Sequence, residues 1–211
     1  MNEQTKTPPY RIETDRLVIR CWNPEDVWKM ETAVTSSLES LRPWMPWIKF
    51  EPKTIEERIN LIRGFRANFD QDEDYIFGVF NKDESRMIGG TGLHTRQGPL
   101  TFEIGYWTIT ELQGQGYATE VAKIMTQIGL GYCGKERIEI RVEPENKGSW
   151  AIPQKLGFTH EVTRRRLMEA AVEGGDLCDI MIWTLLQGEY QEWDHRNLSL
   201  EAFDAAGQQL I

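Results

Sequence analysis

A chain of 211 residues, 40% hydrophobic and 27% charged, has the balance of a globular protein and not of a disordered one, and it is long enough to fold without disulfides or a metal. Its 33 Asp and Glu against 24 Lys and Arg leave a net charge of −9, which excludes a general nucleic-acid binder and suits a cationic or amine-bearing partner. No apolar run approaches the ~20 residues of a membrane helix. The opening MNEQTKTPPY lacks the core of a signal peptide, and Cys21, Cys133 and Cys178 are too scattered for a zinc or redox pair, so a reducing cytoplasm is expected.

Residues 1–10 read as a lead-in. A strand-like core, Leu17-Val18-Ile19, lies between Arg11 and Trp22, and Asn23-Pro24-Glu25-Asp26 is a helix start, with a capping Asn, a proline at the first position and acids in the first turn. After the stiff loop Arg42-Pro43-Trp44-Met45-Pro46-Trp47, the capping box at Thr54 to Glu57 opens an amphipathic helix over 55–69. Three strands, 75–80, 87–94 and 101–109, form an antiparallel meander. A strand continuing through Thr110-Glu111-Leu112 then meets Gln113-Gly114-Gln115-Gly116-Tyr117-Ala118-Thr119, and a helix follows with Val121, Ile124, Met125 and Ile128 on one face. A strand at 138–142 leads through Asn146 into a short helix that stops at Gly157, where Pro153 is expected near the helix start. Residues 158–172 and 177–186 read as a hairpin around Glu173-Gly174-Gly175-Asp176, and the tail from Gly188 holds one helix near 200–206. Strands interleaved with helices give a mixed α/β class.

Glycines at a strand-to-helix junction let successive N–H groups converge on one point, and the helix dipole adds positive potential there, so the 113–119 segment is built for an anion. It is neither a Rossmann fingerprint, which wants Gly or Ala where Thr119 stands, nor a P-loop, which wants a lysine.

Gln113-x-x-Gly116-x-Ala118 after the strand Phe102-Glu103-Ile104-Gly105-Tyr106-Trp107, with Asn146-Lys147-Gly148-Ser149, Lys155-Leu156-Gly157-Phe158 and the opening Thr14-Asp15-Arg16-Leu17-Val18-Ile19-Arg20, resembles the GNAT N-acetyltransferases, in their RimJ/RimL-type branch of ribosomal-protein N-terminal acetyltransferases. The resemblance covers 11–187, leaving 188–211 as a C-terminal tail. It implies an α/β (α+β) fold, a twisted, mostly antiparallel sheet splayed at its middle strands, and an enzyme moving acetyl from acetyl-CoA, without a metal, to a primary amine on a protein N-terminus or a small molecule. A non-catalytic acyl-CoA sensor is the alternative, and a monomer or homodimer fits either.

The resemblance also implies roles. N–H groups near Thr108 and Ile109 would meet the pantetheine arm, those of residues 114–119 the pyrophosphate, Asn146 the arm again, and Ser149 the thioester sulfur. The family's usual acid, a tyrosine seven residues after the Asn, is here Pro153. Acetyl transfer needs a base for the amine, and a strand carboxylate can serve. Glu103 is the first candidate and Glu161 the competing one; Glu169 is weaker, because Met168 takes the family's position. Trp44 and Trp47, with Trp107, are read as walls of an acceptor entrance, where Glu39 and Glu51 would favour a cation. Arg164-Arg165-Arg166 reads as a solvated strand edge and Asp70-Gln71-Asp72-Glu73-Asp74 as a solvated loop; His94, His160 and His195 read as surface or half-buried rings.

Overall fold

The computed structural model describes residues 6–172 and 174–211. The first strand-like segment resolves into a hairpin, β1 (Arg11–Glu13) and β2 (Leu17–Cys21), joined through a turn in which the Thr14 side chain accepts from the Leu17 N–H at 3.1 Å. A 3-10 turn at Pro24–Asp26 leads into α1 (Val27–Thr35), followed by the short α2 (Leu38–Leu41) and a second 3-10 turn, Pro46–Phe50. Then comes α3 (Ile55–Asp70), whose capping box forms as expected: Thr54 accepts from the Glu57 N–H at 3.2 Å and the Glu57 carboxylate accepts from the Thr54 N–H at 2.8 Å.

The meander is β3 (Tyr75–Asn81), β4 (Met87–His94) and β5 (Thr101–Thr108). The expected strand at 110–112 is instead a 3-10 turn, because the Thr110 N–H donates to the Ser37 hydroxyl at 3.1 Å and the Leu112 and Gln113 N–H groups fold back onto Ile109 and Thr110. The helix α4 (Tyr117–Thr126) runs into a π-helical turn, Gln127–Tyr132, and β6 (Arg137–Val142) and α5 (Lys147–Lys155) follow. Pro153 lies in the second half of α5, not at its start. Gly157, at φ +76°, ends the segment as expected.

The hairpin is β7 (Thr159–Glu169) and β8 (Leu177–Leu186), with Glu173 of its turn outside the described residues, as are residues 1–5 of the lead-in. After α6 (Gln187–Tyr190) the tail forms no helix at 200–206 but a strand, β9 (Glu201–Phe203), antiparallel to β1.

Among the described residues one nine-stranded sheet runs β7-β8-β6-β5-β4-β3-β2-β1-β9. Of its pairings only β5 with β6 is parallel, and it spans Thr101↔Arg137 to Glu103↔Glu139. Beyond that point β5 stays with β4 as far as Thr108↔Gly89, while β6 stays with β8 as far as Val142↔Met181. The two strands part, and the sheet opens between Tyr106–Thr108 and the end of β6.

Each face carries its own core. The apolar side of α4 (Val121, Ala122, Ile124, Met125) packs with Phe102 and Ile104 on one face. On the other, α1 and α3 bury Val27, Met30, Val34 and Ile62 with Val18, Phe80, Met87 and Ile109. Glu103, Gly105 and Trp107 lie on the α1/α3 face, and Tyr106 on the α4/α5 face.

Candidate active site

The glycine loop is an exposed turn capping α4. Gly114 and Gly116 have φ of +75° and +82°, the left-handed region that glycine enters without strain. Among the described residues, and apart from each glycine's own chain neighbours, no atom stands within 4 Å of where a Cβ would sit on either, so the dihedral rather than crowding by the chain itself demands glycine. The flanking N–H groups of Gln113 and Glu120 bond to Thr110 and Gly116, but among the described residues those of 114–119 have no intramolecular acceptor. A run of free donors at the start of a helix is an anion cradle. Gln115 has a free backbone N–H, whereas that of Gln113 is taken by the Thr110 carbonyl at 3.2 Å, and the two side chains turn back to the Thr108 carbonyl (Gln113, 3.5 Å) and the Glu111 carbonyl (Gln115, 3.0 Å). Tyr117 sits under the Arg16 guanidinium, 4.4 Å from its centroid.

The cradle adjoins the opened sheet. The Ile109 N–H is taken by the Ile88 carbonyl at 2.9 Å, so Ile109, buried, cannot offer it to a ligand as expected. Alternation in an antiparallel pair then turns Gly105 and Trp107 toward β4, and Tyr106 and Thr108 toward the opening. The Thr108 N–H therefore faces the opening and so does that of Tyr106, while that of Ile109 does not.

On the α5 side Asn146 caps the helix, accepting from the Ser149 N–H at 3.2 Å, which leaves the Asn146 amide nitrogen for a ligand. Pro153 has no N–H for the Ser149 carbonyl, and the Tyr106 hydroxyl donates to that carbonyl instead, at 3.0 Å. The Ser149 hydroxyl approaches the same phenol at 3.4 Å. Burial pushes the Tyr106 phenol up from its ordinary value, so it keeps its proton. The sequence reading missed this tyrosine, which stands on a strand and not after the asparagine.

The carboxylates fall differently from expectation. Glu103 is on the expected strand and face, but its buried carboxylate accepts from Arg96, from Gln97 at 2.9 Å, and lies 3.6 Å from Arg141. Burial alone would raise its pKa; the Arg96 hydrogen bonds and charge, Gln97 and Arg141 outweigh that and hold it below the usual carboxylate range. A clamped carboxylate of lowered proton affinity is a poor base, and Glu103 reads instead as a strut between β5, β6 and the loop after β4. Glu161 is exposed on β7, paired with Arg137 and held low by it, three strand spacings or about 14 Å from β5. That distance removes it as a base. Glu169, at the far end of β7, reaches Lys49 at 3.8 Å. Arg164, Arg165 and Arg166 are exposed on the β7 edge, as expected.

Trp47 and Trp107 meet at 5.7 Å between centroids, both half-buried, and Trp44, three residues before Trp47, is half-buried too. The Lys49–Glu169 contact brings the Pro46–Phe50 turn, which carries Trp47, to the end of β7. Glu39 is exposed, but Glu51 is buried against Arg58 at 2.8 Å and cannot attract a cation.

The floor of this face is glycine. Gly90 and Gly92 on β4 and Gly105 on β5 leave room for two rings: Trp107 Nε1 lies 2.6 Å from the place of a Gly90 Cβ, and His94 Nε2 lies 2.8 and 3.1 Å from the places of Gly92 and Gly105 Cβ atoms. His94 Nδ1 is 3.0 Å from both oxygens of Asp74. The acidic run is therefore not merely solvated, since its last member holds a histidine. The signal was the run of glycines on β4 facing Gly105, spaces that neighbouring rings fill.

The chain matches the acetyltransferase (GNAT) domain over residues 16–159. It is 27% identical over 164 residues to the ribosomal protein uS5-alanine N-acetyltransferase of Escherichia coli, covering 75% of this chain and 82% of that protein. It is 28% identical over 158 residues to an uncharacterized N-acetyltransferase of Bacillus subtilis, YoaA, covering 74% and 87%. Among solved structures, the microcin C7 self-immunity acetyltransferase MccE, in complex with acetyl-CoA and AMP, superposes with a TM-score of 0.73 at 18% identity over 82% of this chain and 93% of that one, a likeness of fold. With the domain match spanning well over half its length, around a donor-lined loop and a parted sheet, the chain belongs to the GNAT acetyltransferase family.

Proposed function

We propose that this protein transfers acetyl from acetyl-CoA to a primary amine, either a protein N-terminus or a small amine, entering from the α1/α3 face. The observation that carries this reading is the run of free N–H donors at 114–119 opening directly onto the parted β5 and β6. The donors fit a pyrophosphate; the Tyr106 and Thr108 N–H groups and the Asn146 amide fit the amides of a pantetheine arm. When bound, acetyl-CoA supplies an acyl group activated as a thioester.

The residues of this chain do the rest. Ser149, beside the Tyr106 phenol, hands a proton to the departing sulfur on the α4/α5 face, a role that its contact with that phenol supports. Trp44, Trp47 and Trp107 exclude water around the acceptor, and a net charge of −9 draws a cationic amine. A cytoplasmic location, as monomer or homodimer, suits acetyl-CoA as donor, and burial pushes the free thiols of Cys21 and Cys133 up to about 12, away from reactivity.

The test supplies acetyl-CoA with a short peptide beginning in alanine, one beginning in serine, and spermidine. Release of free CoA thiol together with a product heavier by one acetyl group is expected for at least one of them. Saturable CoA binding with no acetylated product from any would identify a CoA sensor.

A further inference from the structure

On the reading that this chain acetylates an amine, we propose that Asp74 and His94 are the base: Asp74 holds the imidazole by Nδ1, and Nε2 takes the acceptor's proton. With both Asp74 oxygens 3.0 Å from Nδ1, that nitrogen carries the hydrogen and donates it, leaving the lone pair on Nε2. Nε2 has no hydrogen-bond partner among the described residues, and it lies over Gly92 and Gly105 on the acceptor face. The ring is neither sealed nor loose, with 18% of the His94 side chain and 26% of Asp74 exposed.

The placement divides the chemistry between the two faces of β5. Gly105, under His94, faces the side of Trp107. Tyr106, the next residue, faces α5 and touches Ser149. A thioester lying in the opening between β5 and β6 would have its carbonyl carbon between a proton acceptor on one face and a proton donor on the other. Glu103, paired with His94 across the strands, cannot take the acceptor's place, because Arg96, Gln97 and Arg141 engage it.

The protons balance. The ammonium R–NH3+ gives one proton to His94 Nε2, forming an imidazolium that Asp74 faces. The freed amine forms the C–N bond as the C–S bond breaks, and its second proton leaves on the CoA sulfur by way of Ser149. His94 returns the first proton to solvent.

The experiment uses the full chain with acetyl-CoA and the amine panel above. His94→Ala should lower kcat by about 10²-fold or more, the usual worth of a positioned base, while the CoA Kd stays unchanged. Added imidazole should restore part of the rate in proportion to its concentration, which a purely structural loss would not permit. Asp74→Asn should lower kcat less, with CoA affinity intact. In the wild type, long-range 1H–15N spectra of the His94 ring should show the Nδ1–H tautomer. A His94→Ala enzyme that keeps more than half of kcat, or an Nε2–H tautomer, overturns the dyad while leaving the acetyltransferase reading in place. A wild type that binds acetyl-CoA and acetylates none of the amines overturns that reading, and the dyad falls with it.

Discussion

Pro153 and Tyr106 are coupled through a single carbonyl. The Ser149 oxygen has no helical donor because position 153 is proline, and the Tyr106 hydroxyl fills that role at 3.0 Å. Tyr106→Phe should therefore cost about 1–3 kcal/mol, the loss expected when a buried acceptor is left unpaired. In a Pro153→Ala background a backbone N–H becomes available, and the same Tyr106→Phe change should cost less. Denaturant unfolding of the four proteins measures the coupling; strict additivity would show that the phenol does not serve that carbonyl. Glu103 supports a second test. Its pKa is depressed in the folded state, so its contribution to stability is present above the unfolded value and is lost as pH falls through the folded one. The wild type should lose stability more steeply than Glu103→Gln as pH drops below the usual carboxylate range, and near neutrality the variant should be the weaker fold because Arg96 loses its carboxylate partner and Arg141 keeps only Glu139 and Gln97. Equal slopes would remove the clamp. Alternation along β5 made the face of Glu103 legible in the sequence, but not the arginines that reach it, one from the loop after β4 and one from β6. His94 was hidden for a similar reason. Asp74 ends an acidic run that looks solvated, and only the β3–β4 register, with Tyr75 opposite Leu93, carries it to the ring.

At the scale of elements, the loop before α4 was the most legible part of the chain, because its requirement is local. Two glycines at positive φ and a helix start are written in consecutive residues, and no distant contact is needed to form them. Gly116→Val should raise the CoA Kd by at least about tenfold, or 1.4 kcal/mol, because a β-branched residue is forced out of the left-handed region and turns the N–H groups away. Gly116→Asn should bind CoA more tightly than the valine variant, because Asn tolerates that region and the space around the Cβ is open. Calorimetry on folded proteins decides it, and equal weakening by both side chains would mean that bulk against the ligand, not the dihedral, is what the glycine avoids. Elements whose identity depends on distant partners were harder to read. The 110–112 segment looks like strand continuation until the Ser37 hydroxyl takes its first N–H, and Glu201–Phe203 is too short to show a period before β1 pairs with it.

Across the whole molecule, the tail that closes the sheet also braces the two helices flanking the opening. Trp193 is buried and its Nε1 donates to the Leu156 carbonyl at the end of α5, at 2.6 Å. Leu198 exchanges two hydrogen bonds with the Gln127 amide just past α4, at 3.0 and 3.1 Å. Both contacts lie at helix C-termini, whereas the donors at 114–119 lie at the opposite end of α4, about 15 Å away at 1.5 Å per residue. Ending the chain after Tyr190 should therefore lower global stability without touching the ligand loop. Burial of one large apolar side chain is worth about 1.5–3 kcal/mol and the three hydrogen bonds about 0.5–1.5 each, so a loss of at least about 3 kcal/mol is expected. At about 2–4 °C per kcal/mol for a chain of this size, Tm should fall by about 6–12 °C or more. CoA at a hundredfold excess over Kd stabilises by about 2.7 kcal/mol, so it should raise Tm by about 5–11 °C in both the full and the shortened protein. A thermal scan of the two proteins with and without CoA separates the possibilities. A lower Tm with an undiminished CoA shift supports bracing alone, and a shift that vanishes with the tail would mean that the far ends of α4 and α5 govern the donor loop after all.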